Sequence, residues 1–148
     1  MDDLIIDVSV KRCKRMRQNS IGNKECSFTK LKKVYVVSRL KGNICKNLKL
    51  AKAYCKYVDK LGFMPVASHI MYPAMGFDDT NPIEREKCRM YGLELLKCCD
   101  MAFCFVKDGV ISSGMHEEIR VARHLNIPLR FYKVSEDGCY ECSGNCNY

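Results

Sequence analysis

Two short stretches carry side chains whose types and spacing suit chemistry. The first is Ser112-Ser113-Gly114-Met115-His116-Glu117-Glu118-Ile119, where two hydroxyls and a glycine lead into a helix-forming run that holds two acids. Free N–H groups at such a helix start bind phosphate, and a carboxylate one turn further on is set to face the same space. The same residues also suit plain capping, with Ser113 as N-cap and the acids favoured by the helix dipole. Glu117 and Glu118 project about 100° apart on a helix and so do not share one face. The second stretch is Ser38-Arg39-Leu40-Lys41-Gly42-Asn43, a polar turn with two cations. His69 stands at the end of an apolar run, where a hydrogen bond to the following loop is the plainer use for it, and His116 falls early in a helix, facing solvent.

The elements that must position these residues follow from periodicity. Val34-Tyr35-Val36-Val37 and Met101 to Val106 are short continuous apolar runs of the kind a strand buried on both faces needs. From Asn43 to Leu61 the apolar positions Leu48, Ala51, Tyr54, Cys55, Val58 and Leu61 form one helical stripe, and Gly62 stands where a C-cap is expected. Phe63 to Ala67 reads as a strand, and Pro65 puts it at an edge because it cannot donate to a central ladder. Ser68 to Asn81 lacks periodicity and reads as a loop, followed by a helix from Pro82 or Ile83 to Lys97. A helix from Gly114 to about Leu125 and a strand from Pro128 to Tyr132 complete the alternation, leaving the core closed by about Tyr132. This predicts an α/β fold with a doubly wound, flavodoxin- or Rossmann-like parallel sheet of four to five strands, order 2-1-3-4(-5), and helices on both faces. In that order the turns after the first and third strands open onto one crevice at the switch point.

Length and composition bound the rest. The chain has 148 residues, 47% hydrophobic and 28% charged, which fits one ordinary domain with a core that needs no disulfide. No apolar run spans a bilayer and no secretory leader is evident, so a cytoplasmic protein without a membrane partner is expected. Of the net charge of +8, the stretch from Lys11 to Lys33 supplies nine Lys and Arg against one Glu. That divides the chain into a basic arm (1–32), a domain (33–134) and a Cys-rich tail (135–148). A basic arm suits a solvated lead-in; contact with nucleic acid is the lesser reading. Eleven cysteines, an odd number, suit reduced thiols, and the single CxxC at Cys139 and Cys142 falls short of a zinc pattern, so no metal is expected.

Val34 to Gly42, together with Ser112-x-Gly114-x-x-x-Glu118-Ile119 followed by Ala122 and Ile127-Pro128, resembles the nucleoside 2-deoxyribosyltransferase-like superfamily. Pro65 to Ile70, Glu84-Arg85 and Gly92 to Asp100 are similar to its small bacterial and phage members, and the superfamily also includes deoxynucleoside 5'-monophosphate N-hydrolases. The resemblance covers about residues 33 to 132. It implies that Glu118 is a carboxylate nucleophile attacking the anomeric carbon of a ribose or deoxyribose, with no cofactor. It also implies that Ser112, Ser113 and Gly114 lie by the 5'-oxygen or its phosphate. Ser38, Arg39, Lys41, Gly42 and Asn43 would close the other side, with His69 nearby. Two positions depart from the pattern: Gly92 stands where active hydrolases carry an aspartate near the leaving base, and Ser38 where relatives often have glycine. The expected activity is N-glycosidic hydrolysis or (deoxy)ribosyl transfer; the alternative is a module of the same fold that binds or senses a nucleotide without turnover. The expected partner is a nucleoside or nucleotide, in a homo-oligomer.

Overall fold

Val34, Tyr35, Val36 and Val37 are all 0% exposed, and they form the strand around which the rest is laid. The structure, a computed structural model, describes residues 30–141; most of the basic arm, and Cys142 and Cys146, lie outside the described residues. Strand β1 (Lys33–Val37) pairs in parallel with β2 (Met64–Val66) on one side and β3 (Met101–Lys107) on the other. Next to β3 lies parallel β4 (Leu129–Ser135), and antiparallel β5 (Gly138–Glu141) closes the far edge. The five-stranded order is β2-β1-β3-β4-β5, as the alternation predicts, with Pro65 on an edge strand.

Because side chains alternate along a strand, β1 feeds two cores. Val34 and Val36 pack with Phe103, Phe105, Tyr132 and Val134 beneath Tyr54 and Val58 of α1 (Ile44–Lys60). Tyr35 and Val37 pack on the opposite face with Leu96 and Cys99, at the end of α3 (Pro82–Lys97), and with Met115, Ile119 and Ala122 of α4 (Ser113–His124). The first core is aromatic: Tyr54 stacks on Phe105 at 4.4 Å and Phe105 on Tyr132 at 5.2 Å. Each fully buried ring contributes roughly 1.5–3 kcal/mol.

Capping explains the helix ends. Asn43 accepts from the Lys46 N–H at 3.0 Å to start α1, and Gly62 takes the left-handed φ of 83° just past its end. Asn81 accepts from Ile83 and Glu84 to start α3. The start of α4 differs from expectation: the N-cap is Ser112, which accepts from Met115, and Ser113 is the first helical residue. Two further differences matter. Ser68–Ala74 is a helix, α2, not loop; with seven residues and an internal Pro73 it shows no readable period. The sheet also runs past Tyr132, since β4 continues to Ser135 with Val134 buried, and Cys139 of β5 packs against the aromatic core. Among the described residues, no helix is long and apolar enough to cross a membrane.

Candidate active site

At the C-terminal ends of β1 and β3, beside the start of α4, the chain leaves a cleft of about 440 Å³. Helix geometry decides what reaches its floor. Met115, Ile119 and Ala122 form the buried stripe of α4, and Glu118, one turn beyond Met115, comes off beside that stripe toward β1. Its Oε1 accepts a hydrogen bond from the Tyr35 hydroxyl at 2.8 Å, and that hydroxyl lies 2.7 Å from the buried Ser68 Oγ. With the phenolic proton committed to Glu118, Ser68 donates to the phenolic oxygen, so each group is satisfied.

This setting raises the Glu118 pKa from 4.5 to about 7. Burial is the main cause and the nearby charge of Glu117 adds to it, while the Tyr35 hydrogen bond opposes both. Glu118 lines the cleft. Burial first, and the Glu118 charge second, push Tyr35 well above its ordinary pKa, so the phenol remains a neutral donor. Nearby, Ser38 Oγ lies 2.8 Å from His69 Nε2, and burial lowers the pKa of His69 to about 4, leaving the ring neutral near pH 7.

The cleft brings together Ser38, Lys41, His69, Ser112, Ser113, Gly114 and Glu118, seven of the ten residues singled out from the sequence. The other three do not join them. Arg39 and Asn43 line a separate cleft, and Gly42 lines neither, serving the turn with a φ of 103°. His116 and Asp100 also lie outside it; Asp100 accepts from the Lys33 N–H at 2.7 Å, tying the start of β1 to the approach to β3.

Several cleft residues escape a reading of the sequence. Tyr35 of β1, just beneath the cleft, bonds Glu118, and Ser68 at the start of α2 bonds Tyr35. Tyr72, Phe77 and Arg89 also line the cleft. Arg89 bonds Glu86 at 2.7 Å and Glu117 at 2.5 Å, so Glu117 is tied to α3 while Glu118 turns to β1. The only sequence signal for Tyr35 was a hydroxyl in a wholly apolar run, since a buried phenol needs a partner. Gly92 faces the same group: a Cβ built there would lie 3.0 Å from Ser68 Oγ and 3.1 Å from the Tyr35 hydroxyl. The glycine is what lets α3 approach the Tyr35–Ser68 pair. Among the described residues, no group of three His, Cys, Asp or Glu is placed to hold a metal ion.

Residues 32–132 match the family model described as a domain of unknown function (DUF7768). The chain belongs to this family. The DUF7768 span holds β1 through most of β4 and every cleft residue, and β5 lies beyond it. No curated protein matches the chain. Solved structures give the fold a wider setting. A 2-deoxyribosyltransferase from the psychrotolerant bacterium Bacillus psychrosaccharolyticus matches with a TM-score of 0.55 at 17% identity, over 70% of this chain and 74% of that one. A 2-desoxiribosyltransferase from Leishmania mexicana matches with a TM-score of 0.52 at 12% identity, over 76% of this chain and 79% of that one. This DUF7768 chain therefore has the nucleoside 2-deoxyribosyltransferase-like fold.

Proposed function

We propose that the chain breaks or transfers the N-glycosidic bond of a nucleoside or nucleotide, with Glu118 as nucleophile. One observation carries this reading: a carboxylate at the cleft floor, beside the start of α4, with one oxygen held by a tyrosine hydroxyl and the other without a hydrogen-bond partner among the described residues. In the reaction Glu118 Oε2 attacks the anomeric carbon, the C–N bond breaks, and its electron pair leaves with the base. The resulting glycosyl ester is resolved by water in hydrolysis or by a second base in transfer. The ionised carboxylate also stabilises the positive charge that develops on the sugar. Ser112, Ser113 and Gly114 receive the 5' end, where the N–H groups at the start of α4 favour an oxygen or a phosphate.

A second reading rests on Gly92. No carboxylic acid occupies that position to protonate the leaving base, which favours a module that holds a nucleotide without turnover. The test is a panel of ribo- and deoxyribonucleosides and their 5'-monophosphates, with chromatography for free base and calorimetry for affinity, on wild type and Glu118→Gln. Base release by wild type, lost by about 10³-fold or more in the variant while binding persists, is expected of a nucleophile. Equal release by both proteins removes Glu118 from the chemistry. Binding by both with release by neither selects the sensing module.

A further inference from the structure

The second cleft, on the α1 face of the sheet, has a volume of about 290 Å³. It is built from Arg39 and Asn43 of the β1–α1 turn, Lys46 and Tyr54 of α1, Lys107 at the end of β3 and Asp108 just after it. From these residues we propose that it is a binding site for a compact phosphate monoester, separate from the Glu118 cleft and independent of the function proposed there.

Charge is the first argument. Three cations and one acid line the cleft, and among the described residues none of Arg39, Lys46 or Lys107 is in an ion pair. The net excess of two positive charges matches a phosphate monoester dianion. α1, seventeen residues long, begins here; Asn43 occupies the Lys46 N–H, and the helix start adds a positive potential.

The second argument comes from a single buried side chain. Tyr54 is 4% exposed, its ring stacked flat on Phe105, and its hydroxyl has no hydrogen-bond partner among the described residues. Those residues hold no fully buried polar side-chain atom without a partner, so the residual exposure of Tyr54 includes its hydroxyl, and the space it meets is this cleft. Burial pushes its pKa up to about 12, with Cys139 and then Asp108 adding smaller pushes, so the group keeps its proton. A neutral donor that opens onto a cationic cleft suits a phosphoryl oxygen as its acceptor. Size sets the limit: about 290 Å³ is at the lower end of small-molecule sites, enough for a phosphoryl group with a short polyol.

The experiment is calorimetric titration of the full chain with ribose 5-phosphate, glycerol 3-phosphate, inorganic phosphate and ribose. The esters are expected to bind saturably and ribose not at all. Arg39→Ala and Tyr54→Phe should each weaken ester binding about tenfold. Arg39 is exposed and Tyr54→Phe keeps the stacked ring, and circular dichroism checks that both variants fold. A backbone amide shift at Ile44, Cys45 and Lys46 on adding ester, seen by NMR, locates the ligand without any variant. The absence of saturable ester binding, inorganic phosphate binding as tightly as the esters, or ester affinity unchanged in both Arg39→Ala and Tyr54→Phe would each overturn the assignment.

Discussion

Tyr35 holds Glu118 in place and tempers the rise in its proton affinity that burial causes. Its hydrogen bond is the influence that lowers the Glu118 pKa, opposing burial and Glu117, so Tyr35→Phe should move that pKa above about 7. An ionised nucleophile is active above its pKa. The pH–rate profile of wild type should therefore rise through about 7, and that of Tyr35→Phe should rise at higher pH, with kcat/KM near neutrality down about tenfold. An unshifted profile would mean that the phenol has no hold on the reacting carboxylate. Gly92 gives a second test. Introducing an acid there by Gly92→Asp should reduce stability by about 1–3 kcal/mol and not raise activity, because its Cβ crowds Ser68 and Tyr35. Thermal unfolding and free-base release check both halves. At this scale the sequence was legible where a motif ran along one stretch of chain, as from Ser112 to Glu118. It was opaque where partners come from separate elements, as with Tyr35, Ser68 and Arg89. Arg39 and Lys41, two residues apart in one turn, looked alike in sequence, yet only Lys41 faces the Glu118 cleft.

Elements with strong local signals were placed correctly. β1 and β3 announced themselves as unbroken apolar runs, and α1 carried its stripe, its Asn43 cap and its terminal Gly62. The elements whose residues were not located, although a fifth strand was allowed for, lack such signals. α2 spans two turns with a proline inside, and β5 is four residues whose pairing is visible only across the Glu136–Asp137 turn. Adjacent serines explain the one-residue error at α4, since either can cap and only the backbone decides. The hidden β5 changes an expectation about the C-terminus. Ending the chain after Asp137 removes the partner of β4 and the Cys139 side chain from the aromatic core. The thermal midpoint should fall by several degrees, about the effect of 1–2 kcal/mol in a domain of this size. A midpoint equal to that of the full chain would show β5 to be dispensable.

Over the whole molecule, two buried titrations oppose each other. Glu118 binds its proton more tightly folded than unfolded, so it contributes stability below about 4.5 that is lost as pH rises through about 7. His69 binds its proton less tightly folded, so it contributes stability above about 6.5 that is lost as pH falls toward 4. Glu118→Gln removes the first slope. The variant should match wild type in urea unfolding near pH 4.5 and exceed it by on the order of 3 kcal/mol at pH 8. An equal margin at both pH values would place the Glu118 proton elsewhere.

The strand order also imposes a timetable. β1 pairs with residues 101–104, so Val34 waits 67 positions along the chain for its partner Met101. At the usual pace of synthesis, about 5–20 residues per second, the Val34–Val37 run leaves the ribosome roughly 3–13 s before β3 can cover it. Even once β2 has paired on one side, the other edge of this run of β-branched and aromatic residues is, for that interval, a template for pairing with other nascent chains. Lys30, Lys32 and Lys33 emerge immediately ahead of it, and positive charge of this kind flanking an apolar strand keeps newborn copies apart. The lysines beside β1 thus act earliest in the life of the molecule, before either cleft exists.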